Sequence, residues 1–204
     1  MNLMPFQDEP FNGDTFICEE FLKLKEKYTI EVAVETGSCI YTTTKWLCEN
    51  FKQVHTVEIN QSYADYGKHK VESFDNCKRV VGMDSVQFID TELSRIIKDE
   101  PRTCIFFLDA HWGENCPLKD ELLGISRLRL PHPPVIAIHD FKTYHPDVLG
   151  FDNYKGNDLS FSYIYDEVKM LEIAYGCDYF HYYNTPEKST GAKRGIIYLT
   201  PQQY

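Results

Sequence analysis

The chain predicts an α/β fold in which crossover helices join the strands of a parallel sheet. Two observations predict it. From residue 30 onward short β-rich runs alternate with helix-like segments, with no internal repeat or low-complexity tract between them. The 204 residues also match one domain large enough to bury a real core, so 1–204 reads as a single unit with 1–29 as a helical extension.

Strands are expected at Ile30 to Glu35, Val54 to Ile59, Arg79 to Val81, Thr103 to Asp109 and Val135 to His139. Helices are expected between them at Thr42 to Asn50, Gln61 to Ser73, Ser85 to Lys98 and Leu118 to Arg129. An irregular stretch then reaches Ser160. A helix at Tyr163 to Tyr175 and strands at Tyr179 to Tyr183 and Gly195 to Leu199 follow it, the last two joined by a loop over Pro186 to Arg194. The leading helix falls around Cys18 to Lys27, and Trp46 is expected in the core.

Composition excludes several classes. The longest apolar runs, such as Cys104 to Leu108, are far short of the roughly 20 residues that span a bilayer. Acidic opening residues with no cationic start give no secretion signal, so a cytoplasmic location is expected. The seven cysteines include no C-x-x-C pair and read as reduced thiols. A formal charge of −10 with scattered Lys and Arg disfavours a nucleic-acid partner. The expected partner is a small molecule, and the sequence does not set the oligomeric state, a homodimer included.

The first strand ends in Glu35-Thr36-Gly37-Ser38, where a glycine lets a ligand approach the backbone. Glu58 ends the second strand 23 residues after Glu35, near the roughly 20-residue interval at which such folds place a carboxylate on a ribose diol. One glycine beside a carboxylate suits no pyrophosphate, but Glu35 would attract the cationic amino-acid end of S-adenosylmethionine. Asp84 and Ser85, after the third strand, offer either a contact to an adenine amino group or a helix N-cap.

These residues resemble the class I methyltransferases, specifically a bacterial group whose first loop reads Glu-Thr-Gly-Ser or Thr. Leu108-Asp109-Ala110-His111-Trp112, followed by Pro117-Leu118 and Glu121-Leu122, is similar to that group's second hallmark and to a segment of catechol O-methyltransferase. The resemblance implies a Rossmann-like, mostly parallel seven-stranded sheet with helices on both faces and an antiparallel last strand, with S-adenosylmethionine at the strands' carboxyl ends. Cys39 and Ile40 replace the second and third glycines of the usual loop.

Asp109 and His111 follow the fourth strand, and His139 and Asp140 end the fifth, at the switch point of a doubly wound sheet. In the catechol-type enzymes an Asp after strand four and an Asp-Asn pair after strand five hold the metal. Asp109, His139 and Asp140 occupy those places, so Mg²⁺ or Mn²⁺ is the expected ion, with His111 accepting the substrate's proton and Asp109 sharing the catalytic role. Orienting cofactor or substrate without a metal is the competing role for Asp109. Glu121 reads as a partner of its helix dipole, and His55, His69 and His132 as surface residues without function.

The stretch 141–160 reads as a substrate lid, from its length and from Tyr144, Phe151 and Tyr154. The expected activity is methylation of a small organic acceptor, on oxygen. Two alternatives compete: a nucleotide-sugar glycosyltransferase using Asp109-Ala110-His111 as a metal motif, and a binding protein without turnover.

Overall fold

A computed structural model describes residues 8–97, 101–111 and 113–202. Lys98, the expected end of one helix, and Trp112 of the second hallmark lie outside the described residues.

Seven strands form one sheet in the order β3-β2-β1-β4-β5-β9-β8. They are β1 (Ile30–Thr36), β2 (Gln53–Glu58), β3 (Cys77–Val81), β4 (Thr103–Leu108), β5 (Val135–Ile138), β8 (Tyr179–Tyr183) and β9 (Ile197–Pro201). The pairs among β1 to β5 are parallel, and β9 runs antiparallel to both of its neighbours, β5 and β8. The chain winds outward from β1 through β2 to β3 and returns on β1's other side as β4, so β1 and β4 flank the switch point.

Alternation within the strands builds two cores. Cys104, Phe106 and Leu108 join Val32, Val34, Ile136 and Ile138 in one. Ile105 and Phe107 join Ala33, Val135 and Ala137 in the other, as successive side chains point to opposite faces. The first layer is closed by a helical run Ser85–Ile96, by α6 (Leu118–Arg127) and by α7 (Tyr165–Tyr175). That run is α4 (Ser85–Gln87), a π-helical turn (Phe88–Leu93) and α5 (Ser94–Ile96). The second layer is closed by α1 (Thr15–Tyr28) and α2 (Thr42–Asn50).

Local signals set the helix starts. Asp14 accepts from the Phe16 and Ile17 amides, Asn60 from the Ser62 and Tyr63 amides, and Asp84 from the Gln87 amide. Helix α3 (Gln61–Gly67) is shorter than expected and passes into a 3₁₀ turn at Lys68–Lys70. A Cβ on Gly67 would collide with the Ile40 carbonyl, so this glycine lets α3 press against the loop after β1.

Two expectations change. The stretch 141–160 is not structureless: β6 (Asn153–Tyr154) and β7 (Asn157–Asp158) form a hairpin, and Leu149, Tyr154 and Leu159 are buried. Apolar anchors at both ends pull it onto the domain. His55 is not at the surface, because β2 lies inside the sheet between β1 and β3 and buries it; its ring meets Gln53 at 2.8 Å. No described helix is long and apolar enough to cross a membrane.

Phe11 and Phe21 pack on Phe107, at 5.1 and 5.8 Å between ring centroids, with Trp46 half-buried beside them. The leading helix is thereby part of the core. Phe21→Ala should cost about 3–5 kcal/mol of folding stability in denaturant titration; a loss below about 1 kcal/mol would make α1 an appendage.

Candidate functional site

The carboxyl ends of β1, β2 and β4 open onto a cavity of about 630 Å³, within the range of small-molecule sites. Its wall includes Glu35, Gly37, Ser38, Cys39, Glu58, Asp84, Ser85, Asp109, His111 and Asp140. Of the residues expected to bind a cofactor only Thr36 is absent from this wall; it is fully buried beneath the loop.

The loop after β1 is shaped by three left-handed residues, Gly37 at φ 79°, Cys39 at 49° and Tyr41 at 60°. A side chain at Gly37 would run into the Asp109 backbone, so the loop can lie against the end of β4 only with glycine there. The Gly37 and Ser38 amides donate to the Val57 carbonyl at 3.1 and 3.2 Å, and the Ser38 hydroxyl, buried on the cavity wall, has no partner.

Glu58 accepts from the Cys39 amide at 2.6 Å and the Asn60 amide at 2.7 Å, which fixes its carboxylate between the loops that follow β1 and β2. Burial still raises its pKa. Glu35 is buried and accepts from the hydroxyls of Thr44 and Thr56, the latter at 2.7 Å. Burial outweighs those bonds and pushes its pKa up to about 7.

Beyond the loop, Asp109, His111 and Asp140 converge, with one ligand-capable atom from each within 4.8 Å of the others. His111 Nε2 lies 3.9 Å from Asp109 Oδ1 and 3.7 Å from Asp140 Oδ2, and neither of its nitrogens has a hydrogen bond. His139, expected to add either a ligand or a supporting contact to the two aspartates, is buried beside both, with Nδ1 3.3 Å from Asp109 Oδ1 and 3.3 Å from Asp140 Oδ1, and does not line the cavity. Burial alone would lower both imidazole pKa values, but Asp140 and Asp109 outweigh it and raise them; His139 and His111 in turn hold Asp140 well below the usual carboxylate range.

Arg194 completes the arrangement. Its guanidinium pairs with Asp140 and with Asp152, tying the loop before β9 and the segment before β6 to the end of β5. Asp140 itself takes a left-handed conformation, φ 55°, which aspartate tolerates better than most residues. Glu121 stands in the first turn of α6, where a helix-dipole partner was expected. It is wholly buried, points toward Ser85, Thr36 and His111 without a hydrogen bond, and is raised in pKa by that burial.

No family model matches the sequence, and no curated protein is significantly similar to it. Solved structures are similar in architecture. One is an O-methyltransferase from Bacillus cereus in complex with S-adenosylhomocysteine, with 16% identity, TM-score 0.56 and coverage of 98% of this chain and 83% of that one. The fold is that of the class I methyltransferases. A second methyltransferase of this architecture is the O-methyltransferase TomG from Streptomyces achromogenes in complex with S-adenosylmethionine, with 11% identity, TM-score 0.57 and coverage of 89% and 77%. A third is an rRNA methylase from Streptococcus thermophilus, with 15% identity, TM-score 0.54 and coverage of 100% and 99%. At these identities the methyltransferase fold is shared and the acceptor is not specified.

Sequence reasoning passed over Arg194 and the packing of Tyr154, whose ring meets that of His111 edge-on at 6.1 Å between centroids. The one available signal for Arg194 was Gly195 beside it, whose Cβ would strike the Phe141 carbonyl and so marks a close approach to the end of β5.

Glu35 yields a prediction. A carboxyl raised from 4.5 to about 7 on folding contributes stability that is fully present below pH 4.5 and is lost as pH rises through 7. Glu35→Gln should therefore gain on the parent protein by up to roughly 3 kcal/mol between pH 5 and pH 8. Denaturant titration at both pH values measures it, and a difference that does not change with pH would mean that Glu35 is ionised throughout.

Proposed function

We propose that the chain is an S-adenosylmethionine-dependent methyltransferase that acts on an oxygen of a small organic molecule, with a divalent cation held by Asp109, His111 and Asp140. The observation that carries the reading is the junction, within one cavity, of the clamped Glu58 carboxylate and the three-residue cluster at the switch point. Neighbours of the same architecture in complex with S-adenosylmethionine or S-adenosylhomocysteine support the choice of cofactor.

The residues fit such a cation. Two carboxylates and an imidazole whose nitrogens lack hydrogen bonds are a donor set for Mg²⁺ or Mn²⁺, with the imidazole favouring Mn²⁺. When bound, the ion would supply charge that holds the acceptor oxygen and lowers its pKa. His111 takes the ligand place because it lines the cavity, which the nearer His139 does not; His139 and Arg194 balance the charges of Asp109 and Asp140 from behind.

The acceptor hydroxyl would release its proton to solvent, and methyl transfer is then a direct displacement: the acceptor oxygen bonds to the methyl carbon as the carbon–sulfur bond breaks, and the electron pair passes to sulfur. The protein's task is alignment. Glu58, fixed by two amides, is placed to accept from a ribose diol, Gly37 lets the loop lie close against the end of β4, and Asp84 and Ser85 line the same cavity. The 141–160 segment reaches the cluster through Tyr154, whose ring packs edge-on against that of His111.

Titration calorimetry separates the readings: S-adenosylhomocysteine should bind, whereas UDP-glucose and NAD should not. Glu58→Ala should lose about 1.5–3 kcal/mol of cofactor affinity, and unchanged affinity would remove Glu58 from the site.

A second titration, with Mn²⁺, tests the cluster. Asp109→Asn and His111→Ala should each weaken Mn²⁺ at least about tenfold while sparing S-adenosylhomocysteine. If His111→Ala binds Mn²⁺ normally, the histidine belongs to proton transfer instead of to the ion.

A further inference from the structure

The cavity wall has a one-sided charge. It carries the carboxylates of Glu9, Glu35, Glu58, Asp84, Asp109 and Asp140, and no Lys or Arg. The nearest guanidinium described above, Arg194, is already engaged by Asp140 and Asp152. Arg194 and His139 already offset Asp140 and Asp109, so with Glu35 protonated the wall carboxylates that no described Lys, Arg or His pairs with are Glu9, Glu58 and Asp84.

Two further observations mark this as a ligand site and not a solvated acidic surface. The Ser38 hydroxyl and both nitrogens of His111 line the cavity, each on a residue 4% exposed, and none has a hydrogen-bond partner. Such groups are costly to bury unless a ligand meets them.

We infer that the wall selects positive charge: it holds the cationic methyl donor more tightly than the neutral thioether left after transfer. The inference rests on the methyltransferase reading above and adds a property to it. Donor and product share the adenosine and the amino-acid group, and they differ in one methyl and one charge. Groups that contact the shared parts cannot tell them apart, whereas the three unpaired carboxylates of the wall can, because Coulomb attraction acts on the sulfonium across several ångströms. Transfer removes that charge from the ligand, so the spent cofactor loses its attraction and leaves while fresh donor is favoured.

The test compares three ligands on the chelator-treated full chain by titration calorimetry: S-adenosylmethionine, sinefungin, which carries a cationic amine near the sulfonium position, and S-adenosylhomocysteine. At low ionic strength both cationic ligands should bind at least about fivefold more tightly than S-adenosylhomocysteine. The gap should shrink in 0.5 M salt, where the screening length falls to only a few ångströms.

Asp84→Asn and Glu9→Gln should narrow the gap by weakening the cationic ligands alone. Asparagine keeps the N-cap that Asp84 supplies, and a thermal melt of each variant checks folding. Equal or tighter binding of S-adenosylhomocysteine would overturn the inference while leaving the methyltransferase reading in place. So would equal weakening of all three ligands by Asp84→Asn, which would mean a contact to the shared adenosine. If none of the three binds, the methyltransferase reading falls and the inference with it.

Discussion

Two carboxylates of like charge, Asp109 and Asp140, are brought to neighbouring strand ends by the parallel register of β4 and β5, in which Leu108 pairs with Ile138. The ladder continues one step further, with the Asp109 amide donating to the Thr36 carbonyl at 3.1 Å and the His139 amide to the Leu108 carbonyl at 3.2 Å. Left alone, the pair would repel in a partly buried setting. His139 between them and Arg194 on Asp140 make the arrangement tolerable, and the price is paid by recruiting the loop before β9 and the segment around Asp152. Much of the architecture of residues 141–195 follows from that need for positive charge.

Charge balance also divides the site into two kinds of carboxylate. Glu58 is supplied with two amide donors, whereas Glu121 and Glu35 are fully buried and driven toward their neutral forms. The clamped group suits recognition of a ligand hydroxyl. The enclosed groups hold elements together: Glu35 gathers Thr44 of α2 and Thr56 of β2 around the end of β1.

The sheet was legible because its signal is local. Strand runs such as Thr103 to Leu108 alternate residues between two apolar layers, and the turn glycine and the caps Asn60 and Asp84 mark the junctions. The loop, Glu58, Asp109 and the His139-Asp140 pair were legible for a related reason, because topology fixes where strand ends meet. What stayed hidden depends on side-chain direction. Spacing alone did not show that His111 would line the cavity beside the carboxylates while His139 would be buried between them, nor that Glu121 would face inward from α6. The anchoring of residues 141–160 was also hidden, since Leu149, Tyr154, Leu159 and Asp152 follow no period and acquire meaning only through Arg194, more than 30 residues downstream.

The central claim is that Asp109, His111 and Asp140 form a cation site beside a cofactor cavity. Anomalous diffraction from crystals grown with Mn²⁺ and S-adenosylhomocysteine tests it most directly. The account predicts a manganese peak within bonding distance of Asp109, His111 and Asp140, Arg194 still paired with Asp152, and the nucleoside lying against Gly37 and Glu58. Nucleoside density in that cavity with no manganese at the cluster, or manganese bound elsewhere, would contradict it.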